Sequence, residues 1–293
     1  MPEGPEIRRA ADRIARVLTG RRVLSVEFSI PDLARQGQAL SGAHVVSVTP
    51  RSKALLIRFS TGVVLYSHNQ LYGRWSVDRA SKSPDPRRAL RVSIFTKDHV
   101  ARLYSATDIE LLDEASLATH PYVAQLGLEL LDGTTTVEDA VHQAHAAPFQ
   151  RRALAGLLLD QRFYAGLGNY LRSEILYVAG LRHSDVLGHL SSQARTRLGE
   201  TAYKLTHQAY RHRGVTNDLA RAATLKAEGL SFGRYRHHVF DRASEACWRC
   251  GHLIERVDVS GRGIYFCRRC QNYPTSTSDL PRPRARSTPR ARY

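Results

Sequence analysis

The chain has 293 residues, 42% of them hydrophobic, with a formal net charge of +16 and an isoelectric point of about 10.2. This length allows one large or two medium domains with ordinary cores, and this charge favours a polyanionic partner, nucleic acid first, over a small neutral metabolite. An anionic membrane is less favoured, because no segment reaches the roughly 18 apolar residues of a membrane-spanning helix.

The chain opens with MPEGPEIRRAADRI, which lacks the apolar core and cleavage site of a secretory signal, so we expect a cytoplasmic protein. Residues 5–19 are predicted to form a helix, with Pro5 at its first position and Gly20 just past its end. Its apolar stripe has helical spacing and consists of Ile7, Ala11, Ile14 and Leu18.

Two interpretations of the residues before this helix stay open. In one, Gly4 and Pro5 set the helix start and the acidic residues complement its dipole, and the pattern taken alone favours this. In the other, removal of Met1 leaves Pro2 with a free secondary amine, whose protonated form is disfavoured at the positive end of a helix in a basic protein. That amine is a potential nucleophile, and Glu3 beside it could shuttle protons.

From about residue 22 to 107 the apolar pattern has period two. Turn signals separate short predicted strands: HVVSVT, ALLIRFS, VVLYSH, RVSIFT and VARLYS. Such strands indicate an antiparallel sandwich or barrel as the first domain. Lys53, in PRSKALL, lies at a predicted hairpin turn and by itself carries little information.

The segment LYSHNQLYGRW places Leu71 and Tyr72 at an apparent turn, directly after Asn69 and Gln70. Turn tips are normally polar, so these two side chains either face the sandwich core or are exposed for a purpose. An exposed pair could act as a wedge that fills the gap left when a base is pulled out of duplex DNA.

Residues 130–213 return to helical periodicity and indicate a second, helical domain. Four helices are predicted: TTVEDAVHQA, FQRRALAGLLLD, NYLRSEILYVAG and SSQARTRLGETAYKLTHQAY. Between the second and third, AGLG allows close backbone approach and Asn169 is a plausible helix N-cap, where a DNA phosphate could dock. The alternative is an ordinary helical hairpin with a glycine turn. Residues 214–238 are interpreted as a mobile loop with a short helix.

The four cysteines of the chain form the most specific motif. Cys247, Cys250, Cys267 and Cys270 follow the spacing C-x2-C-x16-C-x2-C, which predicts a tetrahedral, structural zinc site with no open ligand position and one Zn²⁺ per chain. Two strand-like runs joined by SGRG make a zinc-ribbon hairpin with Arg262 at its tip. That arginine is either solvated charge or a phosphate ligand.

The last segment, residues 272–293, has four prolines and five arginines and is predicted to be a disordered basic tail. It accounts for only +4 of the charge, so the rest of the chain is itself basic. We hypothesise that the tail adds non-specific phosphate affinity.

Taken together, these segments resemble the formamidopyrimidine-DNA glycosylase/endonuclease VIII family, in its oxidised-pyrimidine branch. The resemblance covers residues 1 to about 271. It is carried by PEGPEIRRAADRI, RSKALL, LYSHNQLYG, LYSATDIELL, THP, LLLDQRFYAGLGNYLRSEIL and the paired CxxC motifs.

The resemblance implies an α+β, multidomain fold. We place an N-terminal helix and antiparallel β-sandwich at residues 1–125, a helix-two-turns-helix domain at 126–234, a zinc finger at 235–271 and the tail at 272–293. It further implies a bifunctional base-excision-repair enzyme that removes oxidised pyrimidines from damaged double-stranded DNA and cleaves the abasic site. We expect a monomer, associated with the nucleoid through DNA, with no membrane contact and no small-molecule cofactor.

The site residues that the resemblance implies divide into two groups. Pro2 matches the nucleophile that attacks C1′ and forms an imine, Glu3 the proton donor, Lys53 the lysine that assists at the lesion sugar, and Arg262 the arginine that holds the lesion phosphate. The matched DNA-contacting positions are Gln70, Leu71, Tyr72 and Asn169.

One position departs from the family pattern. After THP, relatives tend to carry a DNA-contacting arginine, whereas this chain has Gln125. An amide can still bind a phosphate, so Gln125 stays a candidate contact with one charge fewer.

Two alternative functions are weighed against the main one. An oxidised-purine glycosylase usually begins PELPE, whereas PEGPE and QLYG favour the pyrimidine branch. A catalytically silent zinc-ribbon DNA-binding protein would share the charge and the finger, but it gives no reason for Pro2, Glu3 and Lys53 to occur together.

Overall fold

The computed structural model describes residues 2–272, and the predictions about Met1 and about the tail beyond Asn272 lie outside these residues. The helices are α1 (Gly4–Leu18), α2 (Pro31–Gln38), α3 (Glu114–Thr119), α4 (Val137–His145), α5 (Leu154–Leu157), α6 (Asn169–Ala179), α7 (Ser192–Arg211), α8 (Leu219–Ala227) and α9 (Phe232–Tyr235). Within the described part of the chain, none of these helices is long and apolar enough to cross a membrane.

The strands complete the predicted α+β architecture. They are β1 (Ser25–Phe28), β2 (Val45–Arg51), β3 (Ala54–Phe59), β4 (Val64–His68), β5 (Arg74–Arg79), β6 (Leu90–Phe95), β7 (His99–Tyr104), β8 (Asp108–Leu112), β9 (Leu128–Glu129), β10 (Tyr164–Ala165), β11 (Glu255–Val259) and β12 (Arg262–Phe266). An N-terminal β part, a helical part and a C-terminal hairpin with four cysteines follow one another, which confirms the predicted fold class.

The first part is a sandwich rather than a barrel. Its two four-stranded antiparallel sheets have the orders β1-β6-β7-β5 and β2-β3-β4-β8. All five predicted strands are present. The strands that the pattern missed, β1, β5 and β8, lie at sheet edges, where exposed polar side chains weaken the apolar alternation.

Helix α1 packs its predicted stripe into the sandwich core, and Gly20 has a positive φ of 74° just past the C-cap Thr19, as expected for the end of a helix. The helix begins one residue earlier than predicted, because Glu3 is its N-cap and Pro5 stands at the second position. The backbone N–H of Glu3 donates to the carboxylate of Glu6 at 3.0 Å, which satisfies one donor outside the helix.

Both faces of strand β3 are covered. Leu55 and Ile57 face the sandwich core, whereas Ala54 and Leu56 contact a smaller apolar cluster that includes Leu117 of α3. This explains why the sequence ALLIRFS is almost continuously apolar. The same outer layer brings the segment after α3 against the hairpin turn between β2 and β3.

The helical part differs from the prediction at residues 149–160, where only the short α5 forms. The backbone N–H groups of Leu154 and Ala155 donate to the carbonyls of Asp185 and His183, both at 2.9 Å. These two N–H groups are bound to a neighbouring loop, so they cannot donate to carbonyls four residues earlier, as a continuous helix over 149–160 would require. Helices α4, α6 and α7 surround the apolar core of this part.

Residues 214–238 contain two helices, α8 and α9, instead of a loop with one short helix. The fully buried carboxylate of Glu174, on α6, holds the end of this segment. It accepts hydrogen bonds from the Thr216 hydroxyl at 2.6 Å and from three consecutive backbone N–H groups, those of His238, Val239 and Phe240, at 2.8 to 2.9 Å. Burial alone would raise the pKa of Glu174, but nearby imidazoles and these bonds outweigh burial and lower it.

The C-terminal hairpin lies against α6. The side-chain amide of Asn169 donates to the carbonyl of Gly263 at 3.0 Å, and the N–H of Tyr265 donates to the Ser173 hydroxyl at 3.3 Å. Ser260 and Gly261 form the tip with φ values of 52° and 77°, so Arg262 is not at the tip as predicted but opens β12 opposite Val259.

Candidate active site and zinc centre

The carboxylate of Glu3 is buried on the first turn of α6, with 2% of the residue exposed. Its two oxygens accept hydrogen bonds from the backbone N–H of Gly168 at 2.7 Å and of Tyr170 at 2.8 Å, and Leu171 adds a longer one at 3.3 Å. A carboxylate is favoured at this position by the unpaired N–H groups and by the positive end of the helix dipole. The start of the chain is thereby joined to the helical part.

Gly166 and Gly168 allow the close backbone approach that the sequence predicted, but the approaching group is the start of this chain and not a phosphate. The N–H of Gly4 donates to the carbonyl of Gly166 at 2.8 Å. A Cβ at Gly168 would lie 2.4 Å from Cδ of Glu3, so only glycine leaves room for the carboxylate.

The prediction that Asn169 is the N-cap of α6 is wrong, because Gly168 takes that position. Its side chain binds the finger hairpin instead and accepts a hydrogen bond from the Arg172 guanidinium at 2.5 Å. Docking of a DNA phosphate on the N–H groups of Gly168, Tyr170 and Leu171 is likewise wrong for this structure, since Glu3 occupies them. A contact between the Asn169 side chain and DNA stays a prediction.

Lys53 lies at the predicted hairpin turn, between β2 and β3, and only 7% of it is exposed. Burial lowers the pKa of Lys53 to about 8, the carboxyl group of Glu3 opposes this shift and Arg262 adds to it. Burial likewise raises the pKa of Glu3 to about 7, against the attraction of Lys53 and with the repulsion of Glu6. The structure thus brings Glu3, Lys53 and Arg262 from three separate segments into one electrostatic unit.

Residues that the sequence reasoning missed hold the Lys53 turn in place. The backbone N–H of Ser52 donates to the Glu129 carboxylate at 2.6 Å, and the Ser52 hydroxyl donates to the Gln161 side chain at 3.2 Å. The N–H of Lys53 donates to the Tyr122 hydroxyl at 3.1 Å. Gln161 lies within the motif LLLDQRF, and Tyr122 directly follows THP. Proximity to these motifs was the only feature of the sequence that could have indicated their contact with the Lys53 turn.

Two further missed residues surround Glu3. The hydroxyl of Tyr170 donates to the Glu6 carboxylate at 3.2 Å, and burial raises the pKa of Glu6. On the other side of α6, burial and then Arg262 lower the pKa of the Arg172 guanidinium to about 10. Glu6 and Tyr170 therefore shield Glu3 from water, and Arg172 places a second cation beside Arg262.

The loop between β4 and β5 exposes Leu71 by 61% and Tyr72 by 74%, so the core-facing interpretation of these residues is wrong. Gln70 before them has a φ of 49°, and its N–H donates to Nδ1 of His68 at 3.2 Å. The Thr107 hydroxyl holds the Gln70 side chain at 2.9 Å. An apolar pair held in solvent by a structured turn is suited to a partner that covers it.

Gln125 is exposed between α3 and β9. Pro2 is half-buried next to Glu3. Their roles toward DNA remain predictions.

The four cysteine sulfurs lie within 4.8 Å of one another. The Sγ atoms of Cys247 and Cys270 are 3.9 Å apart and those of Cys250 and Cys267 are 3.4 Å apart, close to the ~3.8 Å between sulfurs of a tetrahedral Zn²⁺ site with Zn–S bonds of about 2.3 Å. The cluster binds a structural zinc ion, and the Tyr177 hydroxyl lies 3.3 Å from the Cys247 sulfur as an outer-shell partner.

The arrangement is suited to proton transfer and to anion binding. A buried carboxyl with a pKa near neutrality can both give and take a proton, and Lys53 and Arg262 can stabilise negative charge beside it. The zinc sulfurs offer no open ligand position, so the metal supports the hairpin and does not activate a substrate.

Family models match both ends of the chain. The model for the formamidopyrimidine-DNA glycosylase N-terminal domain matches residues 1–109, and the model for a zinc finger found in FPG and IleRS matches residues 244–272.

Similar proteins span nearly the whole chain. Endonuclease 8 of Klebsiella pneumoniae is 41% identical over 272 residues, which are 93% of this chain and 100% of the relative. Endonuclease 8 of Pectobacterium carotovorum is 40% identical over 271 residues, 92% of this chain and 100% of the relative. Formamido-pyrimidine DNA glycosylase of Lactococcus lactis, solved with DNA containing an AP site, has the same fold, with a TM-score of 0.74, 19% identity, and coverage of 92% of this chain and 99% of that chain.

We expect the substitution Gly168→Ala to displace the Glu3 carboxylate, because the new Cβ would overlap it. The free energy of unfolding should fall by about 1–3 kcal/mol, measured by denaturant titration, and the shift of the Glu3 pKa should shrink. Gly156→Ala is the matched control, since a Cβ there meets nothing within 4 Å. Equal stability of the two variants would contradict the close contact.

We expect Cys270→Ser to lose the zinc ion, since three thiolates do not complete the tetrahedral shell. Metal analysis should give one zinc per wild-type chain and much less in the variant, with weaker DNA binding because Arg262 loses its stapled hairpin. His252→Ala, between the two knuckles, should keep its zinc. Full zinc content in Cys270→Ser would overturn the four-sulfur site.

Proposed function

Because this chain belongs to the family of formamidopyrimidine-DNA glycosylases and endonuclease 8, we propose that it removes oxidised pyrimidines from DNA and then cleaves the abasic strand. The full-length relatives at 40–41% identity carry the name endonuclease 8, which favours pyrimidine over purine lesions. The observation that carries the mechanism is the buried pair of Glu3 and Lys53 beside Pro2, with pKa values drawn toward neutrality.

The first step is base removal by the Pro2 amine, which is free once Met1 has been removed. The nitrogen lone pair attacks C1′ of the damaged nucleotide, and a bond from nitrogen to C1′ forms as the bond from C1′ to the base breaks. The base leaves with that electron pair and takes up the proton of the attacking amine. Glu3 then gives its proton to the ring oxygen, the ring opens, and an iminium joins Pro2 to C1′.

The second step is strand cleavage. The iminium makes the C2′ hydrogen acidic, and the Glu3 carboxylate, having given up its proton, is placed to remove it. The electron pair of that C–H bond forms a C1′=C2′ double bond and leaves the nitrogen neutral. The nitrogen electrons then restore the iminium, a C2′=C3′ double bond forms, and the 3′ phosphate leaves with the electrons of its bond to C3′. Once Glu3 has passed this proton to solvent, its carboxylate removes the C4′ proton, a C4′=C5′ double bond forms, and the 5′ phosphate leaves with the electrons of its bond to C5′. Water then adds to C1′ and releases the Pro2 amine.

The cations of the site stabilise the charges that these steps create. Lys53 interacts with Glu3 and lies at the lesion sugar, where a buried ammonium stabilises negative charge on oxygen more strongly than it would in water. Arg262, exposed at the start of β12, binds the lesion phosphate with its planar fork of donors.

DNA contacts outside the chemistry come from three segments. Leu71 and Tyr72 fill the space that the extruded nucleotide leaves, and Gln70 supports them from a fixed turn. The side chains of Asn169 and Gln125 contact the backbone. We further propose that the protein acts as a monomer in the cytoplasm, bound to the nucleoid.

Borohydride trapping tests the nucleophile. The wild-type protein, with Pro2 verified as its first residue by mass spectrometry, should form a covalent adduct with a duplex that contains an abasic site. Pro2→Gly should abolish the adduct, whereas Pro31→Ala, an exposed proline at the start of α2, should keep it. Binding of DNA without any wild-type adduct would favour the silent zinc-ribbon protein.

Faster cleavage of thymine glycol than of 8-oxoguanine duplexes is expected for the pyrimidine branch.

The pH dependence tests the proton donor. Glu3 must be protonated to open the ring, so kcat/KM should fall as the pH rises above about 7, the pKa of Glu3. The Lys53 ammonium lowers the pKa of Glu3, so Lys53→Gln should move this decline to higher pH while reducing the rate. Lys204→Gln, on the exposed side of α7, should leave the profile unchanged. A decline that stays in place, or moves to lower pH, in Lys53→Gln would remove Glu3 as the acid.

A further inference from the structure

A basic groove lies beside the exposed pair Leu71 and Tyr72. One part of it, about 590 Å³, is lined by residues of α1, β5 and the loop between β5 and β6, including Arg13, Arg74, Lys82, Arg87 and Arg88. A second part of about 590 Å³ shares three of these arginines and reaches Tyr72 and Arg91. We call the two parts together the arginine groove.

The loop over residues 80–89, which carries much of this charge, is held in a fixed shape. The N–H of Asp85 donates to the Tyr104 hydroxyl at 3.2 Å, and Arg102 donates to the carbonyl of Lys82 at 2.7 Å. The N–H of Ser105 donates to the carbonyl of Ala89 at 2.8 Å. The loop is therefore fixed to the end of the sheet by hydrogen bonds, and its arginines have defined positions.

Part of the positive charge in the groove lacks a counter-charge. Asp78 pairs with Lys82 and Asp85 pairs with Arg87. Arg13, Arg74 and Arg88 make no ion pair with any carboxylate of residues 2–272.

Two of these arginines, Arg13 and Arg74, repel each other. The pKa of Arg13 is lowered by partial burial and then by the neighbouring guanidinium groups of Arg9, Arg74 and Arg16. Like charges held this close by the fold are stabilised by a polyanion that binds across them.

The position of the groove relative to Lys53 defines which polyanion fits. Lys53 precedes Ala54, which pairs with His68, so the lysine turn lies on one side of the loop that carries Leu71 and Tyr72. Arg74 begins β5 on the other side of that loop. The loop with the exposed pair thus joins a strand next to the lysine turn to a strand that lines the arginine groove.

We propose that the arginine groove binds phosphates of the DNA strand opposite the lesion. The inference rests on the proposed function: with the damaged nucleotide at Lys53 and the pair Leu71 and Tyr72 in the base stack, the lesion strand lies on the lysine side. The complementary strand then passes on the far side, over Arg74 and Arg88. Guanidinium groups bind phosphate through two parallel hydrogen bonds, and such contacts position the duplex without reading its sequence.

The salt dependence of binding tests the charge contact. We expect Arg74→Gln/Arg88→Gln to bind a duplex with an uncleavable abasic analogue about tenfold more weakly, and the slope of log Kd against log salt to become shallower by about 1.8 for two lost phosphate contacts. Arg79→Gln/Lys97→Gln is the matched control, because it removes the same charge from exposed residues at the opposite end of the same sheet. Equal slopes for the two double variants would overturn the proposal.

Strand assignment needs a second comparison. Neutral methylphosphonates replace the phosphates next to the orphaned base, on the opposite strand, or the matching phosphates on the lesion strand. Neutralising the opposite strand should weaken wild-type binding but not binding by the groove variant. If the difference in affinity between the wild type and the groove variant instead disappears only when the lesion strand is neutralised, the strand assignment is wrong.

The proposed function is judged separately by borohydride trapping at saturating DNA. The groove variant should still form the adduct, because neither arginine touches the catalytic groups. A wild-type protein that forms no adduct would count against the enzyme, while the salt slopes would still decide whether the groove binds DNA.

Discussion

The buried bond between the Glu3 carboxylate and the first turn of α6 is the contact on which the rest of the site depends. It fixes the start of α1, and with it Pro2, against a helix whose N-cap, Gly168, lies 165 residues after Glu3 in the chain. The same helix holds the 214–240 segment through Glu174 and the finger hairpin through Asn169 and Ser173. One helix therefore sets the relative positions of Pro2, Glu3 and Arg262.

Burial drives the chemistry of this site as much as proximity does. Removing Glu3 from water raises its pKa and removing Lys53 lowers its pKa, while their mutual attraction opposes both shifts. The result is an acid and an ammonium group that titrate near neutral pH, where a repair enzyme must both donate a proton and accept one. Exposed at a loose chain end, the same two residues would keep their ordinary pKa values.

The exposed loop from Gln70 to Tyr72 links the two regions of the proposed DNA-binding surface. On one side lies the proposed site of the reacting nucleotide, where Lys53 and Arg172 are buried and both are electrostatically coupled to the exposed Arg262. On the other side, Arg13, Arg74 and Arg88 of the groove are exposed and pair with no carboxylate among the described residues. The first region suits chemistry on one nucleotide, whereas the second suits non-specific retention of a backbone.

Local patterns in the sequence determined the stripe of α1, the five central strands, the turn at Lys53 and the cysteine quartet, because each of these depends on residues close together along the chain. The family motifs added the proposed catalytic roles of Pro2 and Glu3, which the local pattern alone assigned to the start of the helix. Only the tertiary structure decided that the Glu3 carboxylate, and neither the Asn169 side chain nor a phosphate, accepts hydrogen bonds at the start of α6. It likewise decided that residues 149–160 form only a short helix, because backbone N–H groups in this segment donate to carbonyls of a distant loop. It also decided that Leu71 and Tyr72 face solvent, and that Glu129, Gln161 and Tyr122 support Lys53. These features arise from hydrogen bonds and burial between segments far apart in sequence, which no local pattern encodes.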